Sequence, residues 1–227
     1  MFVVVTRNFL PDIGGMQILM EGLSRGLINH GPVKVFADEY LNYENYDQSS
    51  NLEIERIGGF KIFRKFRKAY AVNEYLKNNK VRAIFFDHWK SLENINVQYL
   101  NNCPNFCLIH SKEINHTLGS SLNVRMNKAF KKTKFIIANS NFTKELGISM
   151  GLEKNKINII HPGTDYPISI NEESRLKAKD IFASAFPKII TIARLDKRKS
   201  HQNILMTIKN LIPIYPNIKY ICVGDGD

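Results

Sequence analysis

The sequence predicts an α/β protein, a parallel sheet covered by helices on both faces and followed by the start of a second unit of the same kind. Three observations predict it. Short apolar runs alternate with stretches of helical periodicity along the first 165 residues. Those runs are apolar throughout, the pattern of strands buried on both faces, not of strands covered on one. A further strand–helix–strand series begins near residue 187, after a segment without periodicity.

Phe2, Val3, Val4 and Val5 form the first strand, and residues 15–29 read as a helix with Ile18, Leu19, Leu23 and Leu27 on one face. Residues 33–36 and 52–57 are further strands. Residues 61–79 are helical, with Ile62, Phe63, Phe66, Tyr70 and Leu76 as the apolar stripe, and a strand follows over 83–86. A strand over 106–109, a helix over 122–131 and a strand over 135–138 come next. The helix over 142–150 begins after Ser140 or Asn141, both good caps, and ends at Gly151. A strand over 157–160 closes the series.

Three segments follow from this pattern: an N-terminal domain over 1–165, a hinge and linker helix over 166–186, and the beginning of a second α/β domain over 187–227. The linker helix spans 174–185. The last segment holds strands over 188–193 and 218–223 around a helix over 202–211. Its about 40 residues sit near the size below which a domain seldom folds unaided. The expectation is therefore a truncated second domain.

Apolar residues make up 44% and charged residues 23%, values of an ordinary soluble globular protein. No apolar run approaches the ~20 residues that span a bilayer. Met1 to Thr6 has no basic region before its valines and reads as a buried strand, not a secretion signal, so a cytoplasmic protein is expected. Cys103, Cys107 and Cys222 make no disulfide framework. Cys103 and Cys107 flank Pro104 with no histidine cluster nearby, so they read as small core residues, and no metal site is expected.

The net charge of +11 fits attraction to anionic lipid, polyanion or nucleotide phosphate, or a codon bias towards Lys, Asn and Ile. Six basic residues and no acidic one lie between Arg56 and Asn73, and Arg125, Lys128, Lys131, Lys132 and Lys134 form a second block. The helix over 61–79 has two readings. Its apolar stripe faces the core and its basic face is solvated, or Lys61, Arg64, Lys65, Arg67 and Lys68 meet anionic lipid headgroups at ~1 kcal/mol each. Nucleic acid is not an expected partner, since neither an aromatic platform nor a recognition-helix pattern accompanies the charge.

Arg194 follows an apolar strand and Lys199 lies in the next loop, a placement that suits a pyrophosphate. With Lys197 and Arg198 between them, a solvated basic loop is the other reading. Gly14 and Gly15 stand where a strand-loop gives way to a helix, either to let backbone N–H groups approach a phosphate or sugar, or as a plain tight turn. The spacing is not that of a dinucleotide fingerprint. His110 directly follows the strand over 106–109, at the rim where parallel sheets bind ligands, and His88 holds the same place after the strand over 83–86, beside Trp89, which suggests loop packing. His161 and Asp165 read as structural members of a Pro-Gly turn.

Five segments occur in an order that resembles one family. They are Thr6 to Gln17 with its Pro11 and Gly pair; Ile136-Ile137-Ala138-Asn139-Ser140; His161-Pro162-Gly163-Thr164-Asp165; Ala193-Arg194-Leu195 with Lys199; and Val223-Gly224-Asp225-Gly226. Together they resemble the GT-B glycosyltransferases, the large retaining family numbered four. The resemblance implies a GT-B fold, with a Rossmann-like N-domain and an incomplete second Rossmann-like domain. It implies a hexosyltransferase of cell-envelope polysaccharide synthesis that uses a nucleotide-diphosphate sugar as donor and needs neither cofactor nor metal. It gives Gly14, Gly15, Arg194 and Lys199 to the donor, and places the catalytic candidate His110 near the transferred sugar. The implied acceptor is a glycan or a lipid-linked molecule, which fits a peripheral site at the inner face of the membrane. Ser200 stands where the family usually has Gly, which bears on loop conformation and not on charge. A nucleotide-sugar 2-epimerase of the same fold, or a non-catalytic membrane-surface or sugar-binding module, is the alternative. With its donor half unfinished, the chain as given is expected to be inactive.

Overall fold

A computed structural model of the chain describes residues 1–164 and 169–226. It forms two compact units that divide after Thr164. Asp165 and the first hinge residues lie outside the described residues.

The first unit is built on a seven-stranded sheet, every pairing parallel, in the order β3-β2-β1-β4-β5-β6-β7. The strands are β1 (Phe2–Val5), β2 (Val33–Asp38), β3 (Glu53–Ile57), β4 (Ala83–Phe86), β5 (Asn105–Ile109), β6 (Phe135–Ala138) and β7 (Ile157–Ile159). Successive side chains of a strand point to opposite faces. Val3 and Val5, with Phe36, Ile84, Phe86, Cys107 and Ile109, therefore enter one core, while Phe2 and Val4, with Val35, Ala37 and Leu108, enter the other. This two-sided burial is why the strands read as unbroken apolar runs. Cys103 and Cys107 are buried and unpaired, as expected, and Cys222 is exposed.

The first core is covered by α3 (Lys61–Asn78), α4 (Trp89–Leu92), α5 (Val97–Asn101), α7 (Ser121–Phe130) and α8 (Asn141–Ser149). Helix α1 (Gly15–Ile28) covers the second. Ser140 caps α8, its Oγ accepting from Thr143 N at 3.2 Å, and Gly151 follows the helix at φ 93°. The second basic block is largely engaged. Arg125 makes a bidentate pair with Glu93 at 2.8 and 2.9 Å, and Lys132 Nζ donates to Glu93 O and Ile95 O.

Two helical faces differ from expectation. In α1, Ile18 is exposed and Met20 is fully buried, with Gln17 and Ser24 beside it. Ile18-Leu19-Met20 is apolar at three consecutive positions, so periodicity alone does not fix the helix rotation. In α3 the stripe Ile62, Phe63, Phe66 and Tyr70 faces solvent, with exposures from 50% to 77%. The buried line is Lys68, Ala69, Val72 and Leu76, so only the later turns of α3 pack on the sheet. Helices α2 (Tyr43–Ser49), α4, α5 and α6 (Ser111–Ile114) have no counterpart among the expected elements, being too short to show a period.

The second unit holds α9 (Glu172–Phe182), β8 (Lys188–Ile192), α10 (His201–Leu211) and β9 (Lys219–Val223), with β8 and β9 parallel from Lys188↔Lys219 to Ile192↔Val223. None of its helices contains a buried residue, and Ile190, Ile192, Leu205 and Met206 are more than half exposed.

Candidate functional site

The strand order reverses between β1 and β4, the place where open α/β sheets form a ligand crevice at their carboxyl ends. There β1 is followed by Thr6 and Arg7, β4 by Asp87 and His88, and β5 by His110.

Asp87 joins the first two of these loops. It is 2% exposed. Its Oδ2 accepts from Thr6 Oγ1 at 3.0 Å and Arg7 N at 2.8 Å, and its Oδ1 accepts from Ser91 Oγ at 2.7 Å. Three donors satisfy a carboxylate that burial would otherwise penalise. His88 Nδ1 accepts from Lys90 N at 2.9 Å and caps α4. Burial, then the charges of Arg7 and Lys90, push its pKa down to about 3. His88 is thus neutral at pH 7 with its proton on Nε2.

His110 is also held below the usual histidine value, by burial, with Asp87 opposing. Its Nε2 is buried and has no hydrogen-bond partner among the described residues. Buried polar atoms are rarely left unpaired, so this nitrogen can still take a ligand contact. Glu113 accepts from the His110 backbone N–H, and burial raises its pKa to about 7. Trp89 is fully buried, its Nε1 donating to Glu113 O at 3.0 Å and its ring 5.6 Å from that of His88.

Beside these loops opens a cavity of about 590 Å³. Six basic side chains line it (Arg7, Lys61, Arg64, Lys65, Lys68 and Lys90) against the acidic Asp12, Asp38 and Glu39. The structure thus gathers four of the five basic residues assigned to a lipid surface around a concave site. Lys68 is corrected outright. It is 4% exposed, and its Nζ donates to Thr6 O and pairs with Asp38 Oδ1, both at 2.6 Å. A lysine so enclosed cannot meet a membrane. Arg64 lies 3.8 Å from Asp38 and donates to Gly59 O at 2.9 Å, and its Nε is buried without a partner among the described residues. Arg67 is exposed, bonds to Gly58 O and does not line the cavity. Arg7 and Lys90 were missed by sequence reasoning, although both stand just past a strand's carboxyl end, the signal that singled out His110.

Gly14 precedes α1 in extended conformation. A Cβ there would stand 2.5 Å from Gln17 Oε1, whose Nε2 donates to Asp12 Oδ2 at 2.6 Å. A Cβ on Gly15 would meet nothing within 4 Å. Neither glycine nor His110 lines the cavity.

Arg194 and Lys199 belong to the second unit. Leu195 N donates to Asp225 O at 2.7 Å, and the Arg194 carbonyl meets His201 Nε2 at 3.0 Å. Gly224 has φ +149°, and a Cβ there would fall 2.0 Å from Ala193 O, so glycine lets β9 end against the end of β8. Lys199 closes a 3₁₀ turn over Lys197–Lys199, and Ser200 follows at φ 58° and ψ 31°. That is the left-handed conformation glycine favours, adopted here by a serine. Among the described residues no group of three or more His, Cys, Asp or Glu is placed to hold a metal.

Residues 13–166 match Glycosyltransferase Family 4, more than half of the chain. The chain belongs to Glycosyltransferase Family 4. Among solved structures, this family member resembles Anabaena HepE in complex with UDP, at a TM-score of 0.75 and 16% identity over 100% of this chain and 61% of that one. It also resembles sucrose-phosphate synthase from Thermosynechococcus elongatus, at 0.73 and 16%, over 100% and 62%. UDP-N-acetylglucosamine 2-epimerase from Rickettsia bellii is less similar, at 0.53 and 11%, over 97% and 61%. These likenesses show the fold, and the chain spans about 61% of the HepE chain. No curated protein matches the sequence significantly.

Proposed function

We propose that the family 4 protein represented by this chain is a retaining hexosyltransferase, moving a sugar from a nucleoside diphosphate to a hydroxyl of a glycan or lipid-linked acceptor. Its membership of Glycosyltransferase Family 4 carries the proposal. The UDP and UDP-glucose bound by HepE in its complexes support a nucleotide-sugar donor. The bond from the anomeric carbon to phosphate breaks with its electron pair leaving on the diphosphate. Arg194 and Lys199 answer that charge in place of a metal ion, the guanidinium gripping two oxygens and the ammonium adding a mobile charge. The acceptor oxygen forms the new bond, and its proton passes to the departing phosphate. His110, neutral and with a buried unpaired Nε2, is the group offered to a sugar hydroxyl. The Gly14–Gly15 loop would line the donor side of the first unit, its helix start favouring anions. The exposed face of Phe63, Phe66 and Tyr70, with Lys61, Lys65 and Arg67 beside it, supports a peripheral place at the membrane.

The test is transfer from radiolabelled UDP-glucose by the whole protein, with EDTA present. Labelled product should require acceptor, and Arg194→Ala should lower kcat by about 10²–10³-fold. Conversion of the donor without any acceptor would instead point to the epimerase.

A further inference from the structure

Resting on that reading, we propose that the cavity beside β1, β2 and β4 binds the phosphate group of a phosphorylated acceptor. The first argument is charge. Asp38 is paired with Lys68 and lies 3.8 Å from Arg64, which leaves Asp12, held by the neutral Gln17, and Glu39 as the remaining acids against Arg7, Lys61, Arg64, Lys65 and Lys90. Among the described residues Arg7, Lys61, Lys65 and Lys90 make no ion pair. Cations that outnumber the acids in a concavity raise the local potential and draw in an anion. Lys90 feels the crowding, its pKa lowered by burial and then by Arg7 and Arg125.

The second argument is unspent hydrogen-bonding capacity. Among the described residues Arg64 Nε is buried and has no hydrogen-bond partner, although its Nη2 is engaged by Gly59 O. A phosphate offers several acceptor oxygens to arginine and lysine donors at once, which a neutral sugar hydroxyl does not. The third argument is location. Arg7 is the second residue after β1 and Lys90 lies in α4, just after β4, so the cations flank the crevice at the sheet's switch point. The phosphate can belong to a soluble sugar phosphate or to a lipid carrier. The exposed Phe60, Ile62 and Phe63 lie next to Lys61 in sequence and would suit the lipid source.

The 227-residue chain is titrated calorimetrically with glucose, with glucose 6-phosphate, and with neutral vesicles carrying either a polyprenyl phosphate or phosphatidylglycerol at equal charge. Either phosphate probe should bind, glucose should not, and polyprenyl phosphate should exceed phosphatidylglycerol if the source is a lipid. Arg7→Gln/Lys90→Gln should weaken that binding about tenfold, and Lys61→Gln/Lys65→Gln, on an exposed helix face, should do the same without a folding risk. Lys154→Gln, away from the cavity, and Arg194→Ala/Lys199→Ala should leave it unchanged. Failure of both phosphate probes to bind better than glucose, or full affinity in both cavity variants, overturns the proposal. Loss confined to Arg194→Ala/Lys199→Ala overturns it too, while leaving the donor assignment standing. Phosphate binding that persists in a whole protein unable to transfer sugar keeps this inference and removes the transferase reading.

Discussion

His88 and Glu113 give the site opposite responses to acid. An unfolded His88 takes a proton near pH 6.5, whereas the folded residue resists until about 3. Its contribution to stability is present above pH 6.5 and is lost as pH falls towards 3. Glu113 runs the other way. Its folded pKa of about 7 lies above the ordinary 4.5, so its contribution is present below 4.5 and lost as pH rises through 7. Between 4.5 and 6.5 the two partly cancel, so each must be measured by difference. In His88→Asn the amide oxygen can still cap α4. Urea midpoints followed by Trp89, the sole tryptophan, should show wild type losing more stability than this variant from pH 6.5 to 4. Parallel curves would refute a buried neutral His88. The placement of candidate residues was legible in the sequence where a strand end announces it, as at His110 after β5 and Arg194 after β8. It was hidden where burial reverses chemistry. Lys68 reads as one charge among six, and only its spacing with Val72 and Leu76 hints that it faces inward.

At the scale of elements, α3 does two things along its length. Its later turns hold the sheet through Ala69, Val72 and Leu76, and its first turns present cations and aromatic rings. Leu76→Ala should therefore destabilise the first unit by about 2–4 kcal/mol, through lost burial and a cavity. Tyr70→Ala, two turns away on the exposed side, should change stability by less than about 0.5 kcal/mol. The Trp89-monitored urea midpoint distinguishes them, and equal losses would mean that the aromatic stripe packs after all. The strands were legible because two-sided burial leaves unbroken apolar runs. The helix faces were not, because Ile62-Phe63 and Ile18-Leu19-Met20 supply apolar side chains on several sides at once, and neighbours then decide the rotation.

The molecule as a whole joins a unit with its own core to one whose helices bury nothing among the described residues. The sheet of the first was legible as parallel, but its order was not, since pairing depends on contacts remote in sequence. No described helix is long and apolar enough to cross a membrane. Association with a bilayer would then rest on surface charge and exposed rings, and salt should weaken it. Cosedimentation at low salt should be stronger with anionic than with neutral vesicles, and Phe63→Ser/Phe66→Ser should reduce it several-fold. Equal recovery with both vesicle types would sink the membrane assignment.

Asp87 has one more consequence. Because this single carboxylate clamps the ends of β1 and β4, and Lys68 secures Asp38 nearby, the rim of the crevice does not depend on Arg7, Lys61, Lys65 or Lys90 for its shape. Frame and lining are separable, as in a socket whose contacts can be exchanged without recasting the housing. Replacing those four side chains offers a way to retune what the crevice accepts while the strand ends beneath it stay where they are.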